Sequence, residues 1–421
     1  MNDGASRFSL LRRPSRRVAI SFFAATLGIG SGVTAVACSS ADPTTDSNLP
    51  NPVLPDGGTL TRADVLNAFV SCLTGQIDQF VADVTAFDAA ATTYAATPAD
   101  DAAATGAKNA WRTAMKSWQR IEPMQLGPLK PTGNPGAKSY AEDIYSWPLL
   151  GRCSIENGLV DKIYETGVSS VLAYARGLTA SEYLLFYTGD DNACGAAAPI
   201  NSAGKWTAIA PELHARKAGY LSAVTKDLLT RATSLRNEFA PSGGNFTSEY
   251  VTAGKGSKVY ATEQMAFNAA ADALFYLEYT VKDIKVGKPA GVAGCVGLAT
   301  CPDDTESIYA GASKEHLRNN LMAARYFLFG CSDTGDGIGF DELLRGVGAD
   351  ATSAQLKVDL DAAVAALEAI PNEDLRVVIL ADPAPVRALY VAVKKVTDRL
   401  KTEFVSLLDL ELPQRAEGDN D

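Results

Sequence analysis

The chain has 421 residues, with 49 acidic against 38 basic side chains and a formal net charge of −11. That balance makes nucleic acid and anionic lipid poor partners and a cation the better electrostatic match. Two histidines, neither in an HExxH pair, remove His-based zinc hydrolysis, and no GxSxG elbow, Walker loop or strand-borne GxGxxG is present.

Arg12, Arg13, Arg16 and Arg17 precede an apolar stretch from Val18 to Ala37 that ends at Ala35-Val36-Ala37-Cys38. Positive charge, an apolar run and small residues before a cysteine are the parts of a signal peptide with a lipobox, so residues 1–37 are expected to be removed and Cys38 to take the lipid. A membrane-spanning helix is the competing reading, since the stretch matches the roughly 20 residues a bilayer needs. It leaves the placement of Cys38 without a reason. Ser15-Arg16-Arg17 resembles a twin-arginine signal, although Ala19 stands where a bulky apolar residue is usual. Residues 38–58, rich in Pro, Ser, Asp and Gly, read as a tether that buries too little apolar surface to order itself.

The body reads as helix after helix. Leu66, Phe69, Leu73, Ile77, Phe80, Val84 and Phe87 recur in steps of three and four, and Thr61 with Asp64 forms a capping box ahead of them. Leu317, Leu321, Ala324 and Leu328 make a second stripe, with Ser313 as the candidate cap before His316. Val386, Leu389, Val393, Val396 and Leu400 make a third, begun by Asp382 and Pro383. Strand-like alternation is nearly absent, and the fold class is all-α. About 360 residues exceed the usual ceiling for one core, so two helical bundles are expected, over 59–240 and 241–412, followed by an acidic tail over 413–421. The seam falls in EFAPSGGNFTSEY, near 238–250. The segments GLTASEYLLFYTGDDNAC and NLMAARYFLFGC echo one another, as an internal duplication would, and equally as any two Leu- and Phe-rich helices ending in Gly would.

Six cysteines besides Cys38 fit disulfides in an exported chain better than a metal cluster. Cys295 and Cys301 flank a short Gly-containing loop and are expected to pair; Cys153 and Cys194, each following a predicted helix, are the next pair, which leaves Cys72 with Cys331.

Three glutamates stand where apolar residues are expected. Glu122 follows the stripe of Trp111, Met115 and Trp118; Glu182 shares a face with Val171, Ala175, Leu178 and Leu185; Glu263 lies between Tyr260 and Phe267 on a stripe running to Leu274 and Leu277. A carboxylate so placed must be paired, protonated or bound to a cation, because burying it alone is costly. The competing reading for each is an ion pair with Arg or Lys, or a helix-end acid facing water.

Four segments carry a family resemblance. AWRTAMKSWQRIEPMQLGP (Ala110 to Pro128), IYSWPL (Ile144 to Leu149), RGLTASEYLLF (Arg176 to Phe186) and ESIYAGASKEHLRNNLMAARYFLFG (Glu306 to Gly330) resemble, in order, the signatures of imelysin-like proteins, over roughly residues 60 to 410. The resemblance implies two helical bundles, an envelope location and a link to iron or haem uptake. Such proteins have also been classed as metallopeptidases, although no catalytic motif is found in this chain. The family hallmark GxHxxE, with His and Glu as its metal ligands, is matched here by Gly177, Thr179 and Glu182, so the histidine is missing. Glu122 and Trp147 match a retained Glu and Trp. A site built from Glu122, Glu182, Thr179 and Asp143 would offer oxygen ligands, which suit Ca²⁺, Mg²⁺ or Fe³⁺ better than Zn²⁺. Haem would want an axial His, Met, Cys or Tyr, so an inorganic cation or an iron chelate is the expected guest. The expected role is a non-catalytic binding protein held in the envelope only by its lipid; because Ser39 after Cys38 is not an acidic retention signal, the outer membrane is the expected place, facing periplasm or surface, with an outer-membrane uptake protein as partner. The alternative is a divergent member that has lost its metal site and serves as a structural or protein-interaction lipoprotein.

Overall fold

The structure, a computed structural model, describes residues 59–413. The expected leader over 1–37, the lipid acceptor Cys38, the tether over 38–58 and the acidic tail beyond Pro413 lie outside the described residues.

The longest helix, α1 (Arg62–Ala96), begins at the capping box read from the sequence: Thr61 accepts from the Asp64 backbone N–H while the Asp64 carboxylate accepts from the Thr61 N–H. Its apolar stripe from Leu66 to Phe87 is fully buried. α2 (Asp101–Ile121) is capped by the Asp100 side chain and buries Trp111, Met115 and Trp118. α1 lies along both α2 and α4 (Leu213–Phe239), and the short α3 (Gly177–Phe186) is wedged against α2 and α4. Beyond α5 (Glu263–Leu274) come a π-helical segment, Leu277–Gly287, and α6 (Ser313–Phe329), α7 (Asp350–Glu368) and α8 (Ala384–Arg399). α8 packs on α7 and on the π-helical segment, and α6 crosses α2. No strand occurs among the described residues, and none of their helices is long and apolar enough to cross a membrane.

Three local readings are corrected. The helix carrying Glu182 does not reach back to Val171 and Ala175: Arg176 is extended and Gly177 has φ +68°, which starts α3 afresh at Gly177. Ser313 is not the cap of α6 but its first residue, and its hydroxyl instead accepts from the Leu375 N–H at 2.9 Å. Glu263 is the first residue of α5, with Tyr260 outside that helix, and it forms an ion pair with Arg62 at 3.7 Å. At the expected seam α4 ends at Phe239, and the chain turns through Asn245 (φ +55°) into the short helix Phe246–Val251.

Disulfides join Cys72 to Cys331, Cys153 to Cys194 and Cys295 to Cys301. The first ties α1 to the end of α6 across 259 residues, beside the contact of Phe69 with Phe327, whose ring centroids are 4.8 Å apart. Because a cross-link stabilises mainly by restricting the unfolded chain, the long loop has the larger effect. A Cys72→Ser, Cys331→Ser variant is expected to lose about 2–5 kcal/mol in urea unfolding, and a Cys295→Ser, Cys301→Ser variant less; equal losses would contradict the loop-length argument.

Candidate functional site

Gly177 makes the site possible by letting two segments touch. A Cβ built there would meet the Ile144 carbonyl oxygen at 2.5 Å, and the positive φ is one that side chains resist. With only hydrogen in the way, the start of α3 presses against the turn that continues into Tyr145, Ser146 and Trp147. The Thr179 hydroxyl accepts from the Ser146 backbone N–H at 3.2 Å, fixing that turn.

One turn further along α3, Glu182 is 4% exposed. Its Oε1 accepts three hydrogen bonds, from the Ser307 hydroxyl at 3.1 Å and from the backbone N–H groups of Tyr309 and Ala310, each at 3.0 Å. Ser307 adopts φ +59°, and this left-handed residue coils the 306–310 loop around the carboxylate. Glu182 Oε2 has no hydrogen bond among the described residues, and no Lys or Arg forms a salt bridge with this carboxylate there. Burial raises the Glu182 pKa, against the pull of those donors.

Glu182 lines a cleft of about 560 Å³ including its solvent-open mouth. Trp147 and Tyr309 supply aromatic walls, Ile284 and Ile308 apolar ones, and Asp303 and Asp304 acidic ones. Asp303 pairs with Arg376 at 2.8 Å and Asp304 with Lys288 at 3.3 Å. Thr305 also lines the cleft, and its buried hydroxyl has no hydrogen-bond partner.

Glu122, at the C-terminal end of α2, has a different role. Its Oε2 accepts from the Lys285 ammonium at 2.7 Å. Lys285 comes from the π-helical segment, is 1% exposed, and donates also to Gln119 Oε1 at 2.8 Å and Asn320 Oδ1 at 3.0 Å. These three bonds use every ammonium hydrogen. Glu306 Oε1 stands 3.0 Å from the same nitrogen and accepts from the Tyr145 hydroxyl at 2.8 Å and Gln119 Nε2 at 3.0 Å. His316 lies behind, its Nδ1 3.5 Å from Glu306 Oε1 and neither ring nitrogen within a hydrogen bond.

The charges in this cluster divide unequally. Burial favours the neutral form of Lys285, but Glu122 and Glu306 outweigh it and raise the lysine pKa. Burial raises Glu122, with Glu306 adding to the effect against Lys285. Burial would raise Glu306 as well, yet Lys285, His316 and the Tyr145 hydroxyl overrule it and hold its pKa low. Tyr145 is pushed well above its ordinary range by burial and then by the carboxylates around it, so it keeps the proton it donates.

The four candidate oxygen donors are thus not gathered around one point. Glu182 and Thr179 line the cleft, whereas Glu122 is committed to Lys285. Asp143 is held by Arg176 at 2.6 Å and Arg231 at 2.8 Å in a separate ion-pair group with Asp227. Among the described residues no three of His, Cys, Asp and Glu stand together as a metal-ion site. Trp147 lines the cleft on one side and lies near Lys285 on the other, its ring centroid 5.8 Å from the ammonium. The residues not singled out from the sequence are Lys285, Glu306, Tyr145, Gln119 and Asn320. For Lys285 a signal existed: Leu277, Val281 and Lys285 recur every four residues, placing a lysine on an apolar stripe.

A family profile described as Imelysin matches residues 75–402. Two solved structures share the fold. A protein described as an iron-regulated protein A precursor, from Parabacteroides distasonis ATCC 8503, is 16% identical with a TM-score of 0.63, covering 86% of this chain and 98% of its own. An imelysin-like protein from Psychrobacter arcticum 273-4 is 15% identical with a TM-score of 0.60, covering 83% of this chain and 98% of its own. Among curated proteins nothing matches.

Removing the central ammonium tests the cluster. Lys285→Met is expected to cost about 3–5 kcal/mol, because it leaves two carboxyls buried without a counter-charge. In that variant Glu122, already raised by burial, loses the lysine that lowers it and titrates above the unfolded value of about 4.3. A raised folded pKa gives stability present below the unfolded pKa and lost as pH climbs through the folded one. Urea unfolding should therefore show a larger deficit at pH 8 than at pH 5; a deficit independent of pH would contradict the assignment.

Proposed function

The chain belongs to the imelysin family, and on that premise we propose that it is a non-catalytic, lipid-anchored binding protein of the cell envelope that takes a positively charged guest at the Glu182 cleft. The guest in this reading is iron or another hard cation, free or in a chelate, and the setting is iron or haem uptake, with the protein held by Cys38 at the outer membrane and delivering to an uptake protein there. Support for the setting comes from the lipobox reading of residues 35–38 and from the iron-regulated precursor that shares the fold.

One observation carries the assignment of the site. Glu182 is buried, has one oxygen occupied by three donors, forms no salt bridge with Lys or Arg among the described residues, and lines a cleft with its other oxygen free of hydrogen bonds there. A cation in the cleft would stabilise its charge beyond what those donors and His316 supply. Glu122, by contrast, already has its cation in Lys285.

A second reading keeps one specific observation. Thr179, standing where the family histidine would be, spends its hydroxyl on Ser146, as expected of a member that has given up metal binding for a structural or protein-interaction role. Under that reading Thr179→His creates metal binding that the parent lacks.

Calorimetric titration of the purified protein with ferric citrate, Ca²⁺, Zn²⁺ and haemin separates the two. The binding reading expects heat with at least one of them, lost in Glu182→Gln and retained in Glu122→Gln at a temperature where that variant is folded. Since the guest needs an ionised Glu182 whose pKa burial raises, affinity should weaken as pH falls from 8 to 5. Silence from the whole panel would defeat iron or another hard cation as the guest, and binding indifferent to Glu182→Gln would defeat this use of the cleft.

A further inference from the structure

The lining of the cleft says more about the guest than its charge. A bare metal ion needs several oxygen or nitrogen ligands around one point, and no such group of acids and histidines is found among the described residues. Glu182 is instead the one lining carboxylate without a Lys or Arg salt bridge among the described residues, in a cleft that Trp147, Tyr309, Ile284 and Ile308 also line. A carboxylate without a salt bridge, beside aromatic and aliphatic surfaces, matches an organic cation, whose charge sits on a nitrogen with carbon attached. Aromatic faces attract such a cation through their quadrupoles, and the aliphatic walls cover its carbon.

Thr305 makes the fit more specific. Its buried hydroxyl has no hydrogen-bond partner among the described residues and it lines the same cleft, and an unpaired buried polar atom is costly unless a guest or water engages it. An ammonium carries several N–H donors, enough to serve Glu182 Oε2 and Thr305 Oγ1 together. Asp303 and Asp304 on the same wall are matched by Arg376 and Lys288, which leaves Glu182 as the lining carboxylate without a Lys or Arg salt bridge among the described residues.

We propose that the Glu182 cleft is a receptor for an organic ammonium group, seated on Glu182 and Thr305 with Trp147 and Tyr309 over its carbon. The inference rests on the reading of the cleft as a cation-binding site and narrows it: iron, if it is the cargo, enters within an organic carrier that presents an amine.

The test is titration of the full-length protein with putrescine, tetramethylammonium, CaCl₂ and ferric citrate, followed by calorimetry and by the shift in melting temperature. Saturable binding of putrescine is expected, weakened roughly ten- to a hundredfold in Glu182→Gln through loss of a charge-assisted hydrogen bond. Tetramethylammonium has no N–H to donate, and its binding should fall about fivefold or more in Trp147→Ala through loss of the cation–π contact. Trp147 is half-buried, so this variant tests the site even if Glu182→Gln melts early. Binding of Ca²⁺ or of ferric citrate with none of either amine would overturn the ammonium assignment and leave the cation-binding reading standing. No binding of amine, Ca²⁺ or ferric citrate would overturn both, and amine binding unaffected by Glu182→Gln and Trp147→Ala would place the amine elsewhere and overturn the inference.

Discussion

A lysine ammonium buried between two carboxylates organises the interior of this protein. Lys285 is inaccessible to water, and a charge in that position is tolerated only because Glu122, Glu306, Gln119 and Asn320 surround it within 3.0 Å. Those partners come from α2, from the loop before α6 and from α6 itself, so satisfying one ammonium fixes how three parts of the chain meet. Removing any one partner leaves another group buried and unpaired, which is why such clusters constrain geometry more than they add stability.

That constraint also divides labour between the two glutamates. Glu122 and Glu306 share the lysine, and the pair bears one more negative charge than the lysine can balance; burial and Glu306 accordingly push Glu122 toward its protonated form. Glu182 lies outside this arrangement. It is held by a hydroxyl and two backbone N–H groups, which orient the carboxylate without cancelling its charge. A carboxylate that is oriented, buried and without a Lys or Arg salt bridge among the described residues, lining a cleft, is what a cationic guest requires.

Much of the fold was legible because it rests on local rules. The capping box at Thr61 and Asp64, the stripe of α1 and the Asp382 start of α8, where the Asp382 carboxylate accepts from the Ala384 N–H, need only near neighbours in sequence. The four ordered motifs identified the family for a related reason, since each is a continuous segment. Burial of Glu122 and Glu182 could also be read, because a carboxylate interrupting an apolar stripe signals it. Their partners could not. Lys285 lies 163 residues from Glu122, and Asp143 meets Arg176 and Arg231 across 33 and 88 residues. Periodicity reports which face a residue occupies and is silent on which other element faces it. Helix α3 shows the same limit in another form: nearly all its positions are buried, so a stripe drawn through Val171 and Ala175 seemed to extend it past Gly177, where a positive φ in fact begins the helix.

The account stands on the Glu182 cleft accepting an organic ammonium while the Lys285 cluster does not. Crystals soaked in 4-bromobenzylammonium, whose bromine scatters anomalously, would locate such a guest directly. The account predicts a bromine peak in the cleft, with the ammonium beside Glu182 and Thr305, absent from Glu182→Gln crystals. A peak beside Glu122 instead, or an empty cleft at a saturating concentration of the amine, would contradict it.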